Sequence, residues 1–290
     1  MEEQIAGQGQ IVDFHTHTFP DKMAAAALEK LGNSFAIENC TDGTAGGLLS
    51  SMREARIGRS VVLPVVTSPA STPKINDFAA AVNEKLGKRG YFSFGGIHPD
   101  YPDYRQELKR IQRLGLKGIK LHPAYQACNM DDIRYLRILE EAASLGLVVV
   151  YHAGIDGGLP EPVYADVKMA LHVIDTIGYE NIVLAHMGGW EQWQMAEQYL
   201  CGAKVYFDTA ACIGFMEPRP SVPGAKRRRL MEQGQLSRMI RKHGPEHVLF
   251  GTDSPWTDQK KALELFETLD LTREEKRLVL GENARRLLQG

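Results

Sequence analysis

Eight short apolar runs, rich in β-branched residues, alternate with longer amphipathic stretches, and this alternation limits the fold more than any other feature. The runs are IVDFH (11–15), SVVLPVV (60–66), YFSFGGIH (91–98), KGIKLH (117–122), LVVVYH (147–152), NIVLAH (181–186), KVYFDT (204–209) and HVLFGTD (247–253). Their near-continuous apolar character suits strands buried on both faces, as parallel sheets require. Between them, KINDFAAAVNEKL and DDIRYLRILEEAASLG read as helices, the second starting on acidic residues and stopping at Gly146. A last helix is expected from Thr272, where Thr272 and Glu275 make a capping-box pattern. Eight strand–helix repeats in 290 residues predict an α/β fold, a (β/α)₈ TIM barrel, as one domain over residues 1–290. A doubly wound sheet is the rival. It is weakened because the chain has neither GxGxxG nor a P-loop.

Charge and cysteine usage narrow the function classes. Lys and Arg total 34 against 36 Asp and Glu, a net charge of −2. That balance gives no bulk attraction to nucleic acid or to an anionic membrane. No apolar run approaches the ~20 residues of a membrane span. The start, MEEQIAGQGQ, is polar and unlike an export signal. Cys40, Cys128, Cys201 and Cys212 are scattered, which predicts free thiols and a cytoplasmic setting. A small-molecule substrate is the expected partner. The oligomeric state stays open, with a homodimer the commonest closed assembly.

The polar residues at the strand ends carry the chemistry. His15, His98, His122, His152 and His186 end apolar runs, and Asp253 ends the last one. Strand packing has no use for ionisable groups there, whereas in a barrel those ends converge on the face where active sites sit. His15 and His17 are two apart on a strand, so they point to one side with Cα atoms ~6.6 Å apart. Two such imidazoles can close on one divalent ion, with a carboxylate to complete the sphere. Asp253 could instead cap a helix, but Pro255 and Trp256 after it read as a pocket wall.

DFHTH on strand one, a histidine after strand five, HMGG after strand six and GTDSPW after strand eight resemble the amidohydrolase superfamily. Within it, the likeness is to the amidohydrolase-related branch that includes aminocarboxymuconate semialdehyde decarboxylase-like enzymes. GENARRLL is similar to that branch's ending, and the resemblance runs from about residue 10 to 288. It implies a (β/α)₈ barrel with His15, His17, His152 and Asp253 around one ion, usually zinc. It also implies His186 as the active-site histidine or a ligand of a second ion, and Asp253 as the general base.

Two reactions fit that pattern. One is hydrolysis of a small amide, lactone or ester by a metal-activated water, the reading the sequence alone favours. The other is non-oxidative decarboxylation of an aromatic or unsaturated acid. A non-catalytic ligand-binding barrel predicts loss of a ligand or of the base, and all five positions are present.

Several residues have more than one reading. Lys120 in GIKLHPAYQ could bridge two ions, pair with an anionic substrate group, or pair with a carboxylate such as Asp13. His122 shares its face and is a second candidate for substrate or bridging contact. Two ions are therefore an alternative to one. His98 either lines the pocket or contacts backbone. Tyr125, Gln126, Trp190 and Trp256 follow strand ends and are pocket candidates. His172, His243 and His247 are expected at the surface. The run Lys226-Arg227-Arg228-Arg229 reads as a solvated helix face, or as the source of an arginine for a substrate carboxylate. Specificity is expected from the long connections 18–59 and 210–246.

Overall fold

The computed structural model describes residues 10–289. The start of the chain, read above as unlike an export signal, lies outside them except for Gln10. Nine strands follow the predicted runs: β1 (Val12–Thr16), β2 (Arg59–Val62), β3 (Tyr91–Ser93), β4 (Gly95–Gly96), β5 (Gly118–Leu121), β6 (Val148–Tyr151), β7 (Ile182–Leu184), β8 (Tyr206–Asp208) and, after a short hairpin, β11 (Val248–Leu249). The hairpin is β9 (Phe215–Met216) with β10 (Arg228–Arg229), antiparallel. β3 and β4 are one predicted run, interrupted at Phe94.

The parallel ladders β1-β2-β3 and β11-β8-β7-β6-β5-β4 join into a ring. On one side the chain itself passes from β3 to β4, and Phe94 N–H donates to Val62 O at 2.9 Å. On the other, Phe14 N–H donates to Phe250 O at 2.7 Å, Asp253 N–H to His15 O at 2.8 Å and His17 N–H to Ser254 O at 2.7 Å. The eight predicted runs thus close as a barrel, with no sheet edge left open between the first and last.

Helices α1 (Asp21–Phe35), α2 (Ala45–Ala55), α3 (Thr72–Leu86), α4 (Tyr104–Arg113), α5 (Pro123–Gln126) and α6 (Ile133–Ser144) occupy the first half. α7 (Val167–Ile177), α8 (Trp193–Tyr199), α9 (Gln233–His243), α10 (Gln259–Glu267), α11 (Arg273–Arg277) and α12 (Asn283–Gln289) complete the set. Their starts follow local chemistry. Asp132 caps α6 by accepting from Arg134 N–H at 2.9 Å, and Asp166 caps α7 by accepting from Met169 N–H at 2.8 Å. The Thr272–Glu275 capping box forms with both reciprocal bonds present. The last predicted helix is broken by a π-turn at Leu278–Glu282. There Gly281 lies so close to Gln10 O that a Cβ would sit 2.1 Å from it.

Period-two burial splits each strand between two cores. Val148 and Val150 belong to an inner cluster with Val12, Phe14, Leu63 and Phe94, while Val149 and Tyr151 pack with the surrounding helices. Ala284 and Leu287 of α12 join the inner cluster at the end where the strands begin. That end is filled with apolar side chains, so the polar strand ends are left to form the opposite mouth. Among the described residues no helix is long and apolar enough to cross a membrane. All four cysteines are free thiols, as expected.

Candidate metal centre at the barrel mouth

His15, His17 and Asp253 meet at the exit of β1 and β11, with ligand atoms close enough to hold one ion. His17 Nε2 lies 3.1 Å from Asp253 Oδ1, and His15 Nε2 lies 3.4 Å from the same oxygen. The far side of each ring is already committed. His17 Nδ1 lies 2.8 Å from Leu63 O, and His15 Nδ1 lies 2.8 Å from Asp208 Oδ2. A carbonyl or an ionised carboxylate can only accept, so both Nδ1 atoms carry the proton. Both Nε2 atoms therefore present lone pairs to the Asp253 carboxylate. Three acceptors facing one another call for positive charge among them; Lys120 Nζ reaches His15 Nε2 at 3.4 Å, and the donor set as a whole suits a divalent ion.

A second tautomer chain starts at the next strand ends. His186 Nδ1 lies 2.9 Å from Ala210 O and so donates to it. His186 Nε2 is then an acceptor, and His152 Nδ1–H donates to it across 3.2 Å. This leaves the lone pair on His152 Nε2, a buried atom with no hydrogen-bond partner. The geometry brings His15, His17 and Asp253 into one compact group and sets His152 beside it, against His186. An open Nε2 lone pair is what a further ligand to the ion would offer. His186 has both ring nitrogens engaged, so here it orients His152.

Backbone strain marks the same places. Asp253, His186 and Met187 all take left-handed φ, at 70°, 59° and 54°. Such conformations cost non-glycine residues about 1–3 kcal/mol each and persist only where the surroundings enforce them. Gly154, at φ 93°, lies so near Trp190 that a Cβ would fall 2.1 Å from its backbone N.

Two carboxylates in this site were missed by sequence reasoning. Asp208 is fully buried, takes His15 Nδ1–H on one oxygen, and on the other accepts His186 N–H at 2.9 Å and Ala210 N–H at 3.1 Å. It ends β8, one residue before the close of the seventh apolar run, so the strand-end rule that picked out Asp253 applied to it as well. Asp156 is buried four residues after His152; its Oδ2 lies 3.7 Å from His122 Nε2. A loop position gives no periodic signal for such a contact.

Lys120 is fully buried, and its Nζ lies 3.4 Å from His15 Nε2. Burial pushes its ammonium down to about 8 against the supporting charges of Asp208 and Asp253. Its pairing with Asp13 is not seen. Asp13 instead accepts from Thr252 N–H at 3.0 Å and Gln259 Nε2 at 2.7 Å, tying β1 to the chain after β11. Burial raises the Asp13 carboxyl to about 6 despite those bonds. Burial also holds His15, His122 and His152 well below the usual imidazole range, so their neutral, ligand-competent forms prevail. Burial works against the charge of Asp253, yet the facing imidazoles keep its carboxyl below the ordinary value.

His122 stacks on His152 with ring centroids 4.2 Å apart and an interplanar angle of 14°. Imidazole lone pairs lie in the ring plane, so two nearly parallel rings cannot both aim at one ion. His122, His152 and Asp156 are close enough for a ligand set, but their orientation does not suit a shared metal.

The other pocket candidates make defined contacts within the fold. Gln126 is a buried hub that accepts from His122 N–H and Tyr135 Oη–H and donates to Val66 O and Ile97 O. His98 contacts backbone, its Nδ1 accepting from Asp100 N–H at 3.2 Å. Trp190 and Trp256 join Leu28, Ile37, Met216 and Leu230 in an apolar cluster over the mouth. Tyr125 meets His122 edge-on at 4.5 Å.

The basic run lies on the β9–β10 hairpin and not on a helix. Arg227, Arg228 and Arg229 pair with Glu217, Glu191 and Glu232 at 2.9, 3.5 and 2.6 Å. His172 is exposed and His247 half-exposed, as expected, but His243 is buried.

The sequence matches the family described as Amidohydrolase across residues 12–290. No curated protein matches it. Among solved structures, 2,6-dihydroxybenzoate decarboxylase from Rhizobium superposes with a TM-score of 0.70 at 16% identity, covering 98% of this chain and 99% of that one. A dihydroxybenzoic acid decarboxylase from Polaromonas, crystallised with manganese and the inhibitor 2-nitroresorcinol, superposes with a TM-score of 0.68 at 16% identity, covering 97% of each chain. A TIM-barrel protein from Bordetella bronchiseptica gives a TM-score of 0.70 at 19% identity, covering 96% of this chain and 98% of that one. At such identities the likeness carries the (β/α)₈ barrel and not the reaction.

Proposed function

This chain belongs to the amidohydrolase family, and from that premise we propose that it is a metal-dependent decarboxylase of a small aromatic or unsaturated carboxylic acid. The observation that carries this reading is Lys120. A fully buried ammonium beside the His15–His17–Asp253 group gives the mouth a fixed cation for a substrate carboxylate. The decarboxylases among the superposed structures support the same direction. Hydrolysis, favoured by sequence alone, has less support.

His15, His17 and Asp253 would hold the ion, with His152 Nε2 as the further ligand. The set suits zinc, the sequence expectation, and also manganese, which accompanies the Polaromonas enzyme. A divalent ion there would supply Lewis-acid chemistry, withdrawing charge from the bound acid. Lys120 orients the carboxylate. The bond from the substrate carbon to that carboxylate breaks, and its electron pair stays on the carbon. The carbon takes up one proton, carbon dioxide leaves, and no oxidant is needed. Asp253 relays that proton from solvent: Oδ1 faces His15 and His17, and the other carboxylate oxygen, Oδ2, can accept a proton and return it to the carbon. The apolar cluster of Trp190, Trp256 and Met216 limits water at the mouth.

A second reading, hydrolysis of an amide or lactone, keeps the same residues and uses the Asp253 carboxylate as the base toward water. One experiment separates the two. The purified protein is incubated with benzoic, hydroxybenzoic and unsaturated acids, and with lactones and anilides, in ¹⁸O-labelled water. Carbon dioxide release with a hydrogen replacing the carboxylate supports decarboxylation. Label appearing in a new carboxyl or hydroxyl group of the product supports hydrolysis and overturns our proposal.

A further inference from the structure

Beside the metal group lies a second buried polar pair that the proposed chemistry does not use. His122 follows β5 and Asp156 lies in the loop after β6, and both are more than nine-tenths buried. Each is held rigidly. The His122 backbone N–H donates to Gln126 Oε1 at 3.1 Å, and Gln126 is itself locked by Tyr135, Val66 and Ile97. Asp156 Oδ1 accepts from Gly158 N–H at 2.9 Å and Leu159 N–H at 2.8 Å. Its other oxygen faces His122 Nε2 at 3.7 Å.

That distance is too long for a full hydrogen bond, but the carboxylate is the charged acceptor facing this nitrogen and favours the proton there. The opposite atom, His122 Nδ1, is then a lone pair. It is buried and has no hydrogen-bond partner. An unsatisfied buried acceptor costs about 1–3 kcal/mol, so a rigid one beside a reaction centre suggests a bound group that satisfies it. The stack of His122 on His152 argues against a metal ion there. A hydrogen-bond donor on the substrate is a group that the open Nδ1 suits. Tyr125, edge-on to the His122 ring, adds an aromatic wall.

We propose that His122, oriented by Asp156, is a specificity-determining residue that accepts a hydrogen bond from a hydroxyl group of the substrate. The enzyme then selects hydroxylated acids over unsubstituted ones. This inference rests on the aromatic-acid reading above and names the ring substituent that the site recognises.

Calorimetric titration of the metal-loaded protein with benzoate and with 2-, 3- and 4-hydroxybenzoate tests it. At least one hydroxybenzoate binds about tenfold or more tighter than benzoate, the scale of one buried hydrogen bond. His122→Phe, which keeps a flat ring against His152, abolishes that preference, so that hydroxybenzoate and benzoate bind within about twofold of each other. Asp156→Asn weakens the preference in the same direction and guards against a folding defect peculiar to one variant. A hydroxyl preference that survives in both variants overturns the inference while leaving the aromatic-acid reading intact. So does wild-type protein that binds all four acids equally. Failure of all four acids to bind overturns that reading, and the inference with it.

Discussion

Two groups of buried histidine in this barrel obey opposite rules. His243, at the end of α9, stacks on Phe207 with centroids 3.8 Å apart. Its Nδ1 accepts from Gly202 N–H at 3.2 Å, so its Nε2–H donates to Val205 O at 2.9 Å. Every polar atom of that ring is satisfied by backbone. At the mouth, His15 and His17 each have one nitrogen committed and the other turned toward Asp253, and His152 Nε2 and His122 Nδ1 have no partner. Burial depresses the protonated form of His15, His122 and His152 as it does that of His243. Burial therefore does not separate a structural histidine from a ligand. What separates them is whether a ring nitrogen is left facing the mouth or is bonded to backbone.

The largest effect should come from removing the inward pair. His15→Ala with His17→Ala is expected to reduce bound metal from about one equivalent per chain to under about a tenth, measured by elemental analysis, with the far-ultraviolet circular dichroism unchanged. The barrel is built by apolar strand residues, so unfolding of this variant would mean that the mouth histidines are structural like His243.

Asp253→Asn keeps one coordinating oxygen but cannot accept a proton at neutral pH. It should retain much of the metal and lose turnover by ~10²-fold or more on whichever acid of the panel reacts. Near wild-type turnover would remove Asp253 as the proton relay. Asp208→Asn acts at one remove, through His15 Nδ1. Loss of that charged partner should weaken metal affinity by about 10–100-fold, read from a chelator competition. Unchanged affinity would show that the committed side of the ring is not what prepares the open side.

The smallest effect belongs to His243, and it should leave metal content untouched. Burial lowers its pKa to about 4, below the unfolded value near 6.5. Between those values the unfolded chain binds the proton that the folded chain refuses. Stability should therefore be full above about pH 6.5 and fall as pH drops toward 4, by up to about 3 kcal/mol. His243→Phe removes that slope. It costs about 1–3 kcal/mol at pH 7, because Val205 O and Gly202 N–H lose their partner. Denaturant titrations at several pH values check both statements. Metal loss in His243→Phe would break the distinction between the two groups of histidine.

Much of the site was legible because it rested on local pattern. The His15-Thr16-His17 spacing and the apolar run ending in Asp253 are short-range features, and the structure brings these three side chains together. Asp208 was legible by the same rule and was passed over, since strand seven continues in Thr209 and carries no histidine. Asp156 and the Gln126 hub were not legible, because each depends on partners from separate connections. His243 was misplaced to the surface for the same reason. Its helix is charged and its neighbours Lys242 and Gly244 are polar or small, yet a ring from β8 covers it.

The sequence by itself determined the barrel, through eight runs whose apolar period suits burial on both faces, and it determined which residue types arrive at the strand ends. Only the tertiary structure decided which nitrogen of each ring is spent and which is open. That choice is set by carbonyls and carboxylates brought from other strands: Leu63 to His17, Asp208 to His15 and Ala210 to His186. A hydrogen bond acts over about 3 Å in space and is blind to separation along the chain, so no spacing in the sequence could have encoded it in readable form.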